Sequence, residues 1–211
     1  MKTTEVFAMK IISKWSLENF IQRNALYNQI KIHWNLVHSN VVAMKSYFED
    51  KENVYLLFEL CINDSLESFL KTRNYLSEFE VQYYVYQILK GLEYIHQNNI
   101  IHGNLTLKNI LLNHSLKIKI SNFSEALKFQ TLNECVSSEL TETTPYYTAP
   151  ELLIKWLPFT QKVDFWTIGI IIFYLLIGWP PFEGKTVKET YESIYKLNYT
   201  FPPELKISKN A

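Results

Sequence analysis

Apolar side chains along this chain switch between two spacings, and the switches mark its elements. Residues 5–12, Glu-Val-Phe-Ala-Met-Lys-Ile-Ile, are rich in branched and apolar side chains and predict a strand. Over residues 17–36 the spacing becomes helical, with Ile21, Ala25, Ile32 and Leu36 among the apolar positions. Residues 41–48 and 53–59 predict a hairpin around Glu49-Asp50-Lys51-Glu52. The joint at residues 61–64, Cys-Ile-Asn-Asp, then separates this strand-rich part (1–60) from a helical remainder (65–211). Ser77-Glu78-Phe79-Glu80 is a capping box, because Ser and Glu three apart can each satisfy a free amide of a helix's first turn. Val81, Tyr84, Ile88, Leu92 and Ile95 continue that helix on one face until Gln97-Asn98-Asn99 stops it. Residues 116–120 alternate as a short strand, and Thr186-Val187-Lys188-Glu189 opens a last helix to about Leu197.

The apolar run 165–179 is shorter than the roughly 20 residues a membrane span needs. Asp164 precedes it and Gly178 and Pro180 end it, so it predicts a buried core helix. Composition supports one folded unit: with 47% of the chain hydrophobic and 15% of the chain aromatic, it has a substantial core and is not disordered. The 21 basic and 21 acidic residues balance, which gives no electrostatic reason to expect nucleic acid or an anionic membrane as partner. Cys61 and Cys135 have no metal-site spacing and predict free thiols in a reducing compartment. Met1-Lys2-Thr3-Thr4-Glu5 opens no apolar leader, so a cytoplasmic protein is expected.

Five short segments carry the chemistry. In order they are Val6-Phe7-Ala8-Met9-Lys10; Gln29 on the following helix; His102-Gly103-Asn104-Leu105 with Asn109; Ser121-Asn122-Phe123-Ser124; and Thr144-Pro145-Tyr146-Tyr147-Thr148-Ala149-Pro150-Glu151. This series resembles the protein kinase motifs V-A-I-K, the helix-C glutamate, H-R-D-L-x-x-x-N, D-F-G and the A-P-E close of an activation segment. Tyr47-Phe48-Glu49-Asp50, residues 54–61 and Pro180-Pro181-Phe182-Glu183 are similar to the Polo-like Ser/Thr kinases. Lys31-Ile32-His33 and Leu105-Thr106-Leu107 resemble the branch that drives centriole duplication. The resemblance implies an α+β, bilobal fold running from the family's third strand to its helix G. With few residues ahead of Lys10, and all five glycines (Gly91, Gly103, Gly169, Gly178, Gly184) at or beyond position 91, the expectation is a domain truncated at both ends and without a Gly-rich loop. An open sheet edge and an incompletely covered helix 165–179 then predict marginal stability.

Three amides stand where the resemblance calls for carboxylates. Asn104 occupies the position of the base that accepts the substrate hydroxyl's proton, and an amide has no titratable oxygen. Asn122 replaces the aspartate that holds Mg²⁺ beside the family's metal-binding asparagine, here Asn109, which has the alternative role of tying its loop together. Gln29 replaces the partner of Lys10, unless it is simply a solvated helix residue. The resemblance also implies that Phe58, Glu59 and Cys61 line an adenine site, that His102 and Phe123 pack in the spine joining the lobes, and that Glu151 and Asp164 are structural. Gly103 replaces the arginine that grips a phosphorylated loop, and no arginine follows Arg73 to serve Ser137, Ser138 or Thr141, while the usual phosphosite falls on Leu140. The resulting expectation is a pseudokinase that works by protein interaction, with an active kinase relative or its substrates as partners and no use of nucleic acid or membrane. A weakly active kinase using ATP and Mg²⁺, and a non-functional gene fragment, are the alternatives; a centrosome or basal body location follows from the resemblance alone.

Overall fold

The computed structural model describes residues 5–17, 20–129, 144–154, 157, 159–203 and 208. Three strands form an antiparallel sheet in the order β1-β3-β2: β1 (Phe7–Ser13), β2 (Met44–Glu49) and β3 (Asn53–Glu59). Register places Lys10 opposite Leu56 on β3, and the β2–β3 turn closes where Asp50 accepts the amides of Glu52 and Asn53. Helix α1 (Phe20–Trp34) packs under this sheet, where Leu26, Ile30, Met44, Val54 and Leu56 form a small core. Its buried residues include Leu26, Gln29, Ile30 and His33, whereas Ala25 is exposed. The helix expected from this spacing forms, with two polar side chains, Gln29 and His33, on its buried line.

The larger lobe is built on α2 (Leu66–Arg73), α3 (Glu78–Gln97), α4 (Lys162–Ile177) and α5 (Val187–Tyr195). Ser77 and Glu80 form the expected capping box on α3, whose Val81, Tyr84, Ile88, Leu92 and Ile95 are all buried. Asn98 and Asn99 end it, Asn99 taking the left-handed conformation at φ 58°. At α5 only half of the expected box forms: Thr186 accepts the Glu189 amide, but Glu189 reaches back to the Lys185 amide. Short strands β4 (Ile100–Ile101) and β7 (Leu127–Lys128) pair, as do β5 (Ile110–Leu112) and β6 (Ile118–Ile120), holding the loops between them against α3.

Helix α4 is apolar nearly all round, as a helix buried on every side must be. Ile168, Ile171, Phe173, Leu175 and Ile177 are buried, and Phe165 is its half-exposed apolar side chain. No helix among the described residues is long and apolar enough to cross a membrane. Cys135, Ser137, Ser138, Leu140 and Thr141 lie outside the described residues.

Candidate functional site

The segment between β4 and β7 brings His102, Asn104, Asn109, Asn122 and Phe123 together. Short strands β5 and β6 set the spacing: the Ser121 amide and hydroxyl both donate to the Asn109 carbonyl, at 2.8 and 2.9 Å. Asn109 in turn donates its side-chain amide to the Asn104 carbonyl at 2.8 Å. Asn122, held in the left-handed region at φ 62°, donates its side-chain amide to Asn109 Oδ1 at 3.2 Å. Asparagine tolerates that backbone region better than most side chains. The oxygen that a metal would need on Asn109 therefore already accepts a hydrogen bond, and Asn109 ties the loop at both ends of its side chain.

This donor set does not fit Mg²⁺. The ion takes anionic oxygens and gives up water reluctantly, and here both candidate ligands are neutral amides bonded to each other. Among the described residues no group of three His, Cys, Asp or Glu side chains is placed to hold a metal ion.

On β1, Lys10 is exposed by surface area, yet crowding by protein lowers its amine from the ordinary lysine value. Gln29 is buried rather than solvated, and its neighbour Asn28 is exposed. Among the described residues no hydrogen bond joins Lys10 to Gln29, so the ion pair that the resemblance implies has no counterpart. The Glu59 carboxylate holds the sheet to the helical part: Oε1 accepts from Lys119 Nζ and from the Ala43 amide, each at 2.7 Å. The pair is largely buried and ties β3 to β6. The Cys61 amide serves no protein acceptor among the described residues, while burial and Glu59 push the Cys61 thiol up to about 11.

A column of rings crosses from sheet to helices. Phe58 lies 5.2 Å from His33, His33 lies 4.4 Å from Phe123, and Phe123 lies 4.9 Å from His102. His102 and Phe123 are fully buried in this column. Neutral His102 donates Nε2–H to the Ser121 carbonyl at 3.0 Å and accepts the Asn104 amide on Nδ1 at 3.3 Å. Below it, Asp164 on α4 accepts the His102 and Gly103 amides at 3.0 and 2.9 Å and His96 Nε2–H at 2.7 Å. Asp164 is therefore the anchor of the loop. His33 is the member that sequence reasoning missed; its signal was a polar residue on the buried line of α1, one turn beyond Gln29. Its Nε2–H donates to the Val42 carbonyl at 2.7 Å, and burial pushes its pKa down to about 4. Glu151, in the short 3-10 turn Pro150–Leu153, makes no ion pair among the described residues.

A pairing strand with a central lysine, an anchored His102 loop and an Asn122-Phe123 turn on one ring column make up a site arranged like that of a kinase, with amides at Asn104, Asn109 and Asn122. Residues 1–210 match the family model of the protein kinase domain, and this chain belongs to the protein kinase family. Its relatives include kinases of Polo type. Serine/threonine-protein kinase polo of Drosophila melanogaster is 41% identical over 98% of this chain and 35% of its own length. A probable serine/threonine-protein kinase PLK of Dictyostelium discoideum is 41% identical over 99% of this chain and 21% of its own length. A probable serine/threonine-protein kinase CCRP1 of Zea mays is 42% identical over 100% of this chain and 33% of its own length. The chain thus spans about a third or less of these relatives.

Proposed function

We propose that this chain is a Polo-type kinase homologue that has lost phosphoryl transfer and acts by binding other proteins, such as an active kinase relative or that relative's substrates. The observation that supports this best is the Asn122 to Asn109 hydrogen bond of 3.2 Å. Two positions at which the family resemblance places metal ligands form a closed, neutral pair. Asn104 adds the loss of a base, which in enzymes supplies roughly 10²–10⁴ in rate. Any nucleotide is then held weakly and without metal, by the Cys61 amide and Lys10. The ring column and its Asp164 anchor support a role as a folded binding scaffold.

The retained Lys10 and the intact column favour a second reading, a weakly active ATP-dependent Ser/Thr kinase, because positioning alone leaves residual rate when a base is lost. Labelled ATP supplied with Mg²⁺ or Mn²⁺ and a generic Ser/Thr substrate separates the two. The expected result is no phosphate incorporation above that of the Lys10→Ala variant. Incorporation that disappears in Lys10→Ala favours the enzyme.

A further inference from the structure

Beyond α4 the helical lobe carries a cavity of about 370 Å³ that the degenerate loops do not touch. Gly178 ends α4 in the left-handed region, at φ 95°, and turns the chain into Trp179-Pro180-Pro181. Two consecutive prolines restrict the backbone, so Trp179 stands on a stiff segment with 55% of its surface exposed. Tyr199 lines the same cavity and is 46% exposed. Its ring is set from two sides, perpendicular to Phe173 at 6.3 Å and to Phe182 at 5.7 Å. Glu183 also lines the cavity, and its carboxylate makes no ion pair or hydrogen bond among the described residues. Trp179 lines a second cavity of about 410 Å³ together with Glu67, and there the chain supplies its own cation, Lys71, at 2.8 Å from Glu67. Glu67 is neutralised from within, whereas Glu183 shares its cavity with aromatic rings, two prolines and the neutral Asn198 and Thr200.

We propose that the Glu183 cavity binds the guanidinium of an arginine side chain presented by a protein partner. Aromatic faces attract cations. A guanidinium is planar and weakly hydrated, so it can lie on an indole while donating a fork of hydrogen bonds to a carboxylate. Pro180 and Pro181 give the arginine's methylene stem an apolar track. A quaternary ammonium would find the rings but leave the carboxylate without a donor, and a neutral urea would find neither attraction in full. This site does not depend on whether the chain transfers phosphate.

The test uses the full chain labelled with 5-fluorotryptophan, its Trp179 resonance assigned with Trp179→Phe. An acetylated, amidated Gly-Gly-Arg-Gly-Gly peptide should shift that resonance saturably. Glu183→Gln should weaken the binding about five-fold, the size of one exposed charge contact, and added salt should weaken it as well. Glu67→Gln should leave it unchanged, and unchanged melting of both variants shows that the fold is intact. Peptides with citrulline or trimethyl-lysine in place of arginine should bind more weakly. No saturable shift, equal binding of the citrulline peptide, tighter binding of the trimethyl-lysine peptide, or indifference to Glu183→Gln would each overturn the proposal.

Discussion

At Asn122 a single nitrogen in place of an oxygen changes what its neighbour can do. An aspartate has no hydrogen to give; the Asn122 amide donates one to Asn109 Oδ1 at 3.2 Å, which takes one of that oxygen's two lone pairs. Asn104→Asp alone is therefore expected to restore no transfer, since the metal position stays neutral, and a radiometric assay of that variant checks it. Gly103 resists repair for a steric reason. Its φ is 73°, and a Cβ there would approach the Glu125 carbonyl oxygen to 2.9 Å, so a returning arginine would strain the loop that carries Asn104. His33 gives a pH prediction. Its pKa falls from 6.5 to about 4 on folding because burial opposes its charge. The unfolded chain therefore takes up a proton first as pH drops, and stability present above pH 6.5 is lost progressively down to about pH 4. The shift corresponds to up to about 3 kcal/mol. Urea melts between pH 7 and 4 should show this loss, with a flatter profile in His33→Leu.

Elements were legible where local chemistry dictated them. The box at Ser77 and Glu80, the apolar face of α3 and the stop at Asn98 all depend on residues close in sequence, and the structure has each of them. Ser77→Ala is expected to lower stability by about 1 kcal/mol, the usual effect of losing a helix cap, readable as a fall in melting temperature. The motif order was legible too, because His102, Asn104, Asn109, Asn122 and Phe123 sit on one stretch folded by two short hairpin strands. Three things were hidden. The Asn122 to Asn109 bond depends on side-chain direction, which spacing does not encode. His33 sits in the ring column because α1 turns a polar residue inward, against its hydrophobic pattern. Glu59 pairs with Lys119, sixty positions away, and nothing local to Glu59 announces that partner.

At the scale of the whole molecule, the described residues include a packed frame, while Asn104 and Asn122 put neutral amides where the family resemblance places carboxylates. Phe58, His33, Phe123 and His102 form a continuous column, and Asp164 fixes its lower end through three hydrogen bonds. Asp164→Ala is expected to remove about 3 kcal/mol or more, because two backbone amides and the buried His96 lose their acceptor together; chemical denaturation measures it. The metal position, by contrast, contributes no charge at all. Calorimetric titration with ATP, in the presence and absence of Mg²⁺, reaches this central claim most directly. The expected result is weak binding whose affinity is the same with and without the metal. Tight binding that Mg²⁺ strengthens, and that Asn122→Ala abolishes, would contradict the account.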